Sequence, residues 1–168
     1  EGMGKQELRE QHGHVLGLRD IHIDMPAGGI QVVMGLSGSG KSTLIRHINR
    51  LIDPTSGEVL VGNDAKQVDV VKMSPTELRR FRREETAMVF QKFALFPHLT
   101  VQENTEYGLK VQGVKPKQRH EQALRWIERV GLKGYGDSYP NQLSGGMQQR
   151  VGLARALTND APILLMDE

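Results

Sequence analysis

The chain has no cysteine. That absence excludes a disulfide framework, a thiol nucleophile and a thiolate metal site. No apolar run approaches the roughly 18–20 residues needed to span a bilayer. The opening Glu1-Gly2-Met3-Gly4-Lys5 contains no apolar signal core. Together these absences predict a cytosolic chain that meets a membrane only through a partner. Charge of one sign is also scarce, with 22 Lys and Arg against 20 Asp and Glu for a formal +2. The pI near 9.0 is therefore no footprint of nucleic acid. The one basic cluster, Arg79-Arg80-Phe81-Arg82-Arg83, is followed at once by Glu84 and Glu85 and reads as a solvated helix face. Internal repeats and low-complexity segments are missing as well.

What is present is an ordinary globular composition. The 168 residues are 38% hydrophobic and 25% charged, with a mean hydropathy of −0.44. By length this is one domain, large enough to bury a core. Gly29 to Met34 reads as a buried strand, and a glycine-rich loop follows it directly. Leu44, Ile45, Ile48, Leu51 and Ile52 then recur at helical spacing, until Asp53-Pro54-Thr55-Ser56-Gly57 ends the run with turn chemistry. Glu58 to Val61 and Val68 to Val71 are expected as short antiparallel strands. Ser74-Pro75-Thr76-Glu77 is a capping box opening a helix to about Arg83, and Thr86 to Phe90 is a strand ending at Gln91.

After Phe93 the character turns to loops and helices. Thr100-Val101-Gln102-Glu103 is a second capping box. Residues 116–130 carry Ala123, Leu124, Ile127 and Val130 on one face, with Gly131 as C-cap. Ser144 starts a helix from Met147 to about Leu157, and Ile163 to Met166 is a final buried strand. Strands alternating with helices predict an α/β sheet with a helical insert between Gln91 and Ser144.

Gly35-Leu36-Ser37-Gly38-Ser39-Gly40-Lys41-Ser42 is a phosphate loop by its residue types. Glycines let backbone N–H groups turn inward around phosphates with no Cβ in the way. The helix that starts near Lys41 aims its positive dipole end at the same anion. Lys41 would reach the β- and γ-phosphates, and the Ser42 hydroxyl would ligate Mg²⁺, with Thr43 completing the nucleotide-binding run Gly35 to Thr43. Asp167 follows four apolar residues at a strand end, where a carboxylate can hold Mg²⁺, and Glu168 is placed to orient or deprotonate the attacking water. Leu143-Ser144-Gly145-Gly146-Met147-Gln148-Gln149-Arg150 adds a serine-capped helix start with two glycines, a second anion-binding terminus.

In this order the three elements resemble the nucleotide-binding subunit of an ATP-binding cassette (ABC) transporter. The resemblance implies a P-loop NTPase of ABC type: a RecA-like core, a small antiparallel β region and a helical insert, with the C-terminal strands missing. Residues 1–91 would hold the β region and phosphate-loop core, 92–157 the helical subdomain, and 158–168 the Walker B strand. It further implies that Ser144, Gly145, Gly146 and Gln148 face the γ-phosphate of ATP held by a second subunit. One lysine serving two phosphate-binding helix starts fits such a shared site. Gln91 matches the family's glutamine that senses Mg²⁺ and the γ-phosphate. Phe93 to Leu99 corresponds to the surface that docks a membrane permease, and reads equally as buried core of the insert. His12 falls near the place of the family's adenine-stacking ring, with His14 beside it, and His98 reads as structural or surface.

Met34 to Thr43, Asn49 to Thr55, Phe90 to Val101 and Ser138-Tyr139-Pro140 look like the importer group for glycine betaine, proline and choline. The implied protein is a peripheral ATPase on the cytoplasmic face of the cell membrane. Its cofactors would be ATP and Mg²⁺. Its partners would be a second nucleotide-binding subunit, permease subunits and, indirectly, an extracytoplasmic solute-binding protein, with no nucleic acid. Two departures stand out. Gly29 sits where relatives carry an acidic residue, and the family's switch histidine after the catalytic glutamate has no counterpart among histidines 12, 14, 22, 47, 98 and 120. The 168-residue chain alone is accordingly expected to turn over ATP poorly. The alternatives are a truncated nucleotide-binding fragment without hydrolysis and a soluble ABC ATPase unconnected with transport.

Overall fold

The computed structural model describes residues 10–13, 15–63 and 66–167. They form two compact units, Glu1–Val71 and Lys72–Glu168.

The first unit contains helix α1 (Lys41–Ile48) and strands β1 (Leu60–Asn63) and β2 (Lys66–Asp69). The strands pair antiparallel, Leu60 opposite Asp69 and Asn63 opposite Lys66, so the expected hairpin forms two residues further along β1 than the sequence indicated. Asp69 closes its open end: Oδ1 accepts from the Val59 and Val71 amides at 3.2 and 3.0 Å. Helix α1 is shorter than its apolar spacing implies. The chain leaves it at Asn49, and Arg50 takes a left-handed φ of 53°. The Ile52 amide then folds back onto the Arg46 carbonyl, and the Ile52 carbonyl meets His47 Nδ1, so Leu51 and Ile52 sit in a closing loop.

The expected buried strand from Gly29 to Met34 does not form. Among the described residues the only sheet pairs are β1 with β2 and β3 with β4, and neither includes this segment. Ile30 is 94% exposed and Met34 86%. An apolar, β-rich run becomes a strand only where neighbouring backbone completes its hydrogen-bond ladder, and local sequence cannot supply that neighbour.

The second unit holds α2 (Pro75–Glu84), β3 (Thr86–Val89), α3 (Val101–Val111), α4 (Pro116–Arg129), α5 (Gly145–Thr158) and β4 (Ile163–Met166). Both capping boxes form as read: Ser74 with Glu77 opens α2, and Thr100 with Glu103 opens α3. Two helices stop on glycine in the Schellman pattern. After α4, Gly131 (φ 71°) donates to the Glu128 carbonyl and Leu132 to the Ile127 carbonyl. After α3, Gly113 and Val114 repeat the arrangement on Lys110 and Leu109.

Val101, Ile127, Leu132, Leu143 and Val151 form one buried cluster, where α3, α4 and the start of α5 meet. Ala87, Val89 and Ala156 form a second, where the far half of α5 lies on the strands. Strands β3 and β4 run parallel, Thr86 opposite Ile163 and Val89 opposite Met166. The second half of α5 is therefore the buried half, with Val151, Gly152, Ala154, Ala156 and Thr158 inside.

Candidate nucleotide-binding site

In the first unit, Gly35 to Gly40 wrap into the loop that opens α1. Gly38 and Gly40 take φ of 78° and 100°, a region open to glycine at no steric cost. A Cβ on Gly40 would stand 2.7 Å from Leu18 Cδ2 and 3.2 Å from the Gly17 carbonyl. One on Gly35 would stand 2.7 Å from Ser39 Oγ. The Ser39 amide donates to the Leu36 carbonyl at 3.1 Å and tightens the turn.

Lys41 folds back over the loop, its Nζ donating to the carbonyls of Gly35 (2.9 Å) and Leu36 (3.0 Å). No side chain caps α1, and its first turn carries no acidic residue. The N–H groups that every helix leaves unpaired at its start are thus open to an external anion. Ser42 and Thr43 lie in that first turn, half-buried. His12 is helical together with Glu10 and Gln11 and is exposed. His14 lies outside the described residues.

In the second unit, β3 and β4 bring Gln91 and Asp167 to the same end of one parallel pair. The Asp167 amide donates to the Val89 carbonyl at 2.9 Å, one step beyond the ladder. Asp167 is buried. Gln91 sits in the turn that leaves β3, closed by a bond from the Phe93 amide to the Phe90 carbonyl at 3.0 Å. Glu168 lies outside the described residues.

Ser144 caps α5, its Oγ accepting from the Met147 amide at 3.4 Å. Ser144, Gly145 and Gly146 are all exposed, and a Cβ on either glycine would meet nothing within 4 Å. This helix start is a bare, uncluttered backbone surface. Gln148 is employed inside the turn: its Nε2 donates to the carbonyls of Pro140 (3.0 Å) and Leu143 (3.2 Å). It holds the loop that delivers Ser144.

Two contributors escaped the sequence reading. Asn104, fully buried on α3, accepts from the Phe96 amide at 2.9 Å and donates to the carbonyls of Phe96, Leu99 and Thr100. Arg155, on α5, donates to the carbonyls of Ala94 (2.8 Å) and Phe93 (3.0 Å). Burial pushes its guanidinium down from the ordinary arginine value. Between them they fix the course of the chain from Phe93 to Thr100. Neither residue type announces such a role, because each acts on backbone that only the tertiary fold brings near.

A glycine-lined phosphate loop, a serine-capped diglycine helix start and a buried carboxylate closing a parallel strand define an ATP-binding cassette. The sequence profile described as ABC transporter matches residues 18–168, and the chain belongs to that family. It is 54% identical over 167 residues to the glycine betaine transport ATP-binding protein OpuAA of Bacillus subtilis, covering 99% of this chain and 39% of that protein. It is 51% identical over 168 residues to the glycine betaine/proline betaine transport system ATP-binding protein ProV of Escherichia coli, covering 100% of this chain and 41% of that protein. The chain thus spans about two fifths of the length of these curated relatives.

Among solved structures it is similar to the cassette MJ0796 in a dimeric post-hydrolysis state with ADP and Pi. That match has a TM-score of 0.82 and 38% identity, over 89% of this chain and 65% of that one. A second dimeric MJ0796 structure gives a TM-score of 0.85 and 36% identity, over 94% and 68%. Among the described residues no helix is long and apolar enough to cross a membrane.

Proposed function

We propose that this chain is the ATP-binding and hydrolysing part of an importer subunit, and that the solute is an osmolyte of the glycine betaine and proline betaine class. The observation that carries the reading is the pair of open helix starts, one at Gly40-Lys41 and one at Ser144-Gly145-Gly146, of which only the first has a lysine. Two cassettes facing each other would complete each other's sites. The names borne by the relatives support the transport role and the solute class, and the similar cassettes are dimeric.

In this reading Lys41 Nζ exchanges the Gly35 and Leu36 carbonyls for β- and γ-phosphate oxygens, while the amides of Gly35 to Thr43 surround the phosphates. By residue type, Ser42 Oγ, Asp167 and Gln91 are the oxygen donors that would hold Mg²⁺. That ion, when bound, neutralises phosphate charge. Glu168 orients or deprotonates the attacking water. Ser144, Gly145 and Gly146 meet the γ-phosphate held by the other subunit, and Gln148 keeps their loop in place. His12 stands as the candidate adenine contact.

The working division of the chain is 1–91 as β region and phosphate-loop core, 92–157 as helical subdomain and 158–168 as Walker B strand. The stretch from Phe93 to Leu99, in which Ala94, Pro97 and His98 are exposed, receives the permease, and the protein works on the cytoplasmic face of the membrane.

Mixed dimers test the shared site. In the full-length transporter, Lys41→Ala and Ser144→Arg subunits should each be inactive alone. Mixed together they should recover hydrolysis, because one of the two composite sites is then intact. A mixture as inactive as its components would overturn the reading. Uptake of labelled glycine betaine, absent with Lys41→Ala alone, tests the solute class.

A further inference from the structure

Phe93 and Ala94 are consecutive non-glycine residues with left-handed φ of 56° and 47°. Such backbone persists only where surrounding structure holds it. What holds it is Arg155. Its Nη1 donates to the Ala94 carbonyl at 2.8 Å and its Nη2 to the Phe93 carbonyl at 3.0 Å, so one planar fork grips both strained residues. Its guanidinium carbon lies 5.9 Å from the centre of the Phe96 ring. One turn earlier on α5, Gly152 lies beside the Phe93 carbonyl, where a Cβ would stand in ordinary contact at 3.5 Å.

Among the described residues no carboxylate forms an ion pair with this guanidinium. A partly buried charge answered by two carbonyls and one aromatic ring is a poor device for stability, where an apolar side chain of similar volume would serve as well. Its value lies in geometry.

The geometry concerns Gln91. On one side Gln91 continues from β3, which the bond from the Asp167 amide to the Val89 carbonyl fixes. On the other, the turn closes through the Phe93 amide on Phe90, and its exit is the pair of residues that Arg155 holds. We propose that Arg155 is a positioning residue that sets the place of Gln91 by gripping the exit of the Phe90–Phe93 turn, and so ties Gln91 to the helix that starts at Ser144. The proposal rests on the reading above that Gln91 serves Mg²⁺ and the γ-phosphate. It adds that the glutamine and the diglycine helix start move as one body.

The test is the Mg²⁺ dependence of ATP hydrolysis at fixed ATP, in the full-length subunit assembled with its permease. Gln91→Ala and Arg155→Gln should each raise the Mg²⁺ concentration for half-maximal rate by about three- to tenfold, the range of a lost coupling contact. The double variant should be no worse than the poorer single variant, since both act through one group. Arg155→Lys, which keeps the charge but loses the fork, should fall between wild type and Arg155→Gln. It also serves as the readout if Arg155→Gln does not assemble. Phe81→Leu, which thins the packing of α2, should lower the melting temperature and leave the Mg²⁺ midpoint unmoved.

If Gln91→Ala shifts the midpoint and neither Arg155 variant does, the proposal is wrong. It is equally wrong if the two shifts multiply in the double variant. No shift with Gln91→Ala would remove the reading of Gln91 itself, and the role of Arg155 with it.

Discussion

Asp167 donates its backbone N–H to the carbonyl of Val89 at 2.9 Å, one residue past the last strand pair, Val89 opposite Met166. The parallel ladder thus runs on past Met166 to Asp167. The main chain of Asp167 is held by the sheet, and its buried carboxylate is held in place with it. Backbone and side chain can therefore be tested apart. Asp167→Asn should keep the melting temperature near that of wild type while lowering Mg²⁺-dependent phosphate release by about a hundredfold or more. A large loss of stability with unchanged turnover would assign the carboxylate to structure alone.

The glycines of the phosphate loop differ in what they demand. Gly40 combines a φ of 100° with Leu18 and Gly17 pressed against the place of a Cβ, whereas Gly38 has φ 78° and open space. Gly40→Ala should cost more than about 2 kcal/mol and abolish ATP binding, since strain and collision add. Gly38→Ala should cost about 1 kcal/mol, from the conformation alone. Urea unfolding and titration with a fluorescent ATP analogue separate the two.

Gln148 donates two hydrogen bonds to the loop before Ser144. Gln148→Ala removes both, at about 1 kcal/mol per bond, and leaves the Pro140 carbonyl only the Leu143 amide. Because the lost contacts serve the helix start and not the phosphate loop, kcat should fall about tenfold with ATP affinity unchanged. A change confined to affinity would place Gln148 elsewhere in the mechanism.

Acid stability should carry the mark of Glu77. Hydrogen bonds from the Ser74 hydroxyl and amide hold its carboxyl below the ordinary glutamate value of 4.5. A carboxyl whose folded value is depressed contributes its stabilisation in full above the unfolded value and loses it as pH falls through the folded one. Between about pH 5 and pH 3 the wild-type chain should therefore lose more melting temperature than Glu77→Gln. Parallel curves for the two proteins would mean that the capping box contributes nothing that titrates.

Much of the second unit was legible in the sequence because its signals are local. Ser74 with Glu77, and Thr100 with Glu103, each satisfy a helix start from within four residues, and Gly131 supplies the one conformation its helix end requires. The phosphate loop was legible for the same reason, since its glycines and lysine act on neighbouring backbone. Where α1 stops was not legible. Leu51 and Ile52 keep helical spacing, and only the left-handed Arg50 ends the helix before them. Arg155 and Asn104 were invisible in principle. Arg155 acts on carbonyls some sixty residues away, and Asn104 is recognisable only once α3 is packed beside the loop it holds.

Gly29 to Met34 carries no charge and no proline, and Ile30, Val32 and Met34 face solvent. A six-residue stretch of that character, with no strand beside it among the described residues, meets the requirements for stacking on copies of itself. Handled as a free polypeptide, the chain is therefore set against its own solubility at high concentration. Losses on storage would begin at this segment, as growing fibrils, well before any helix melted.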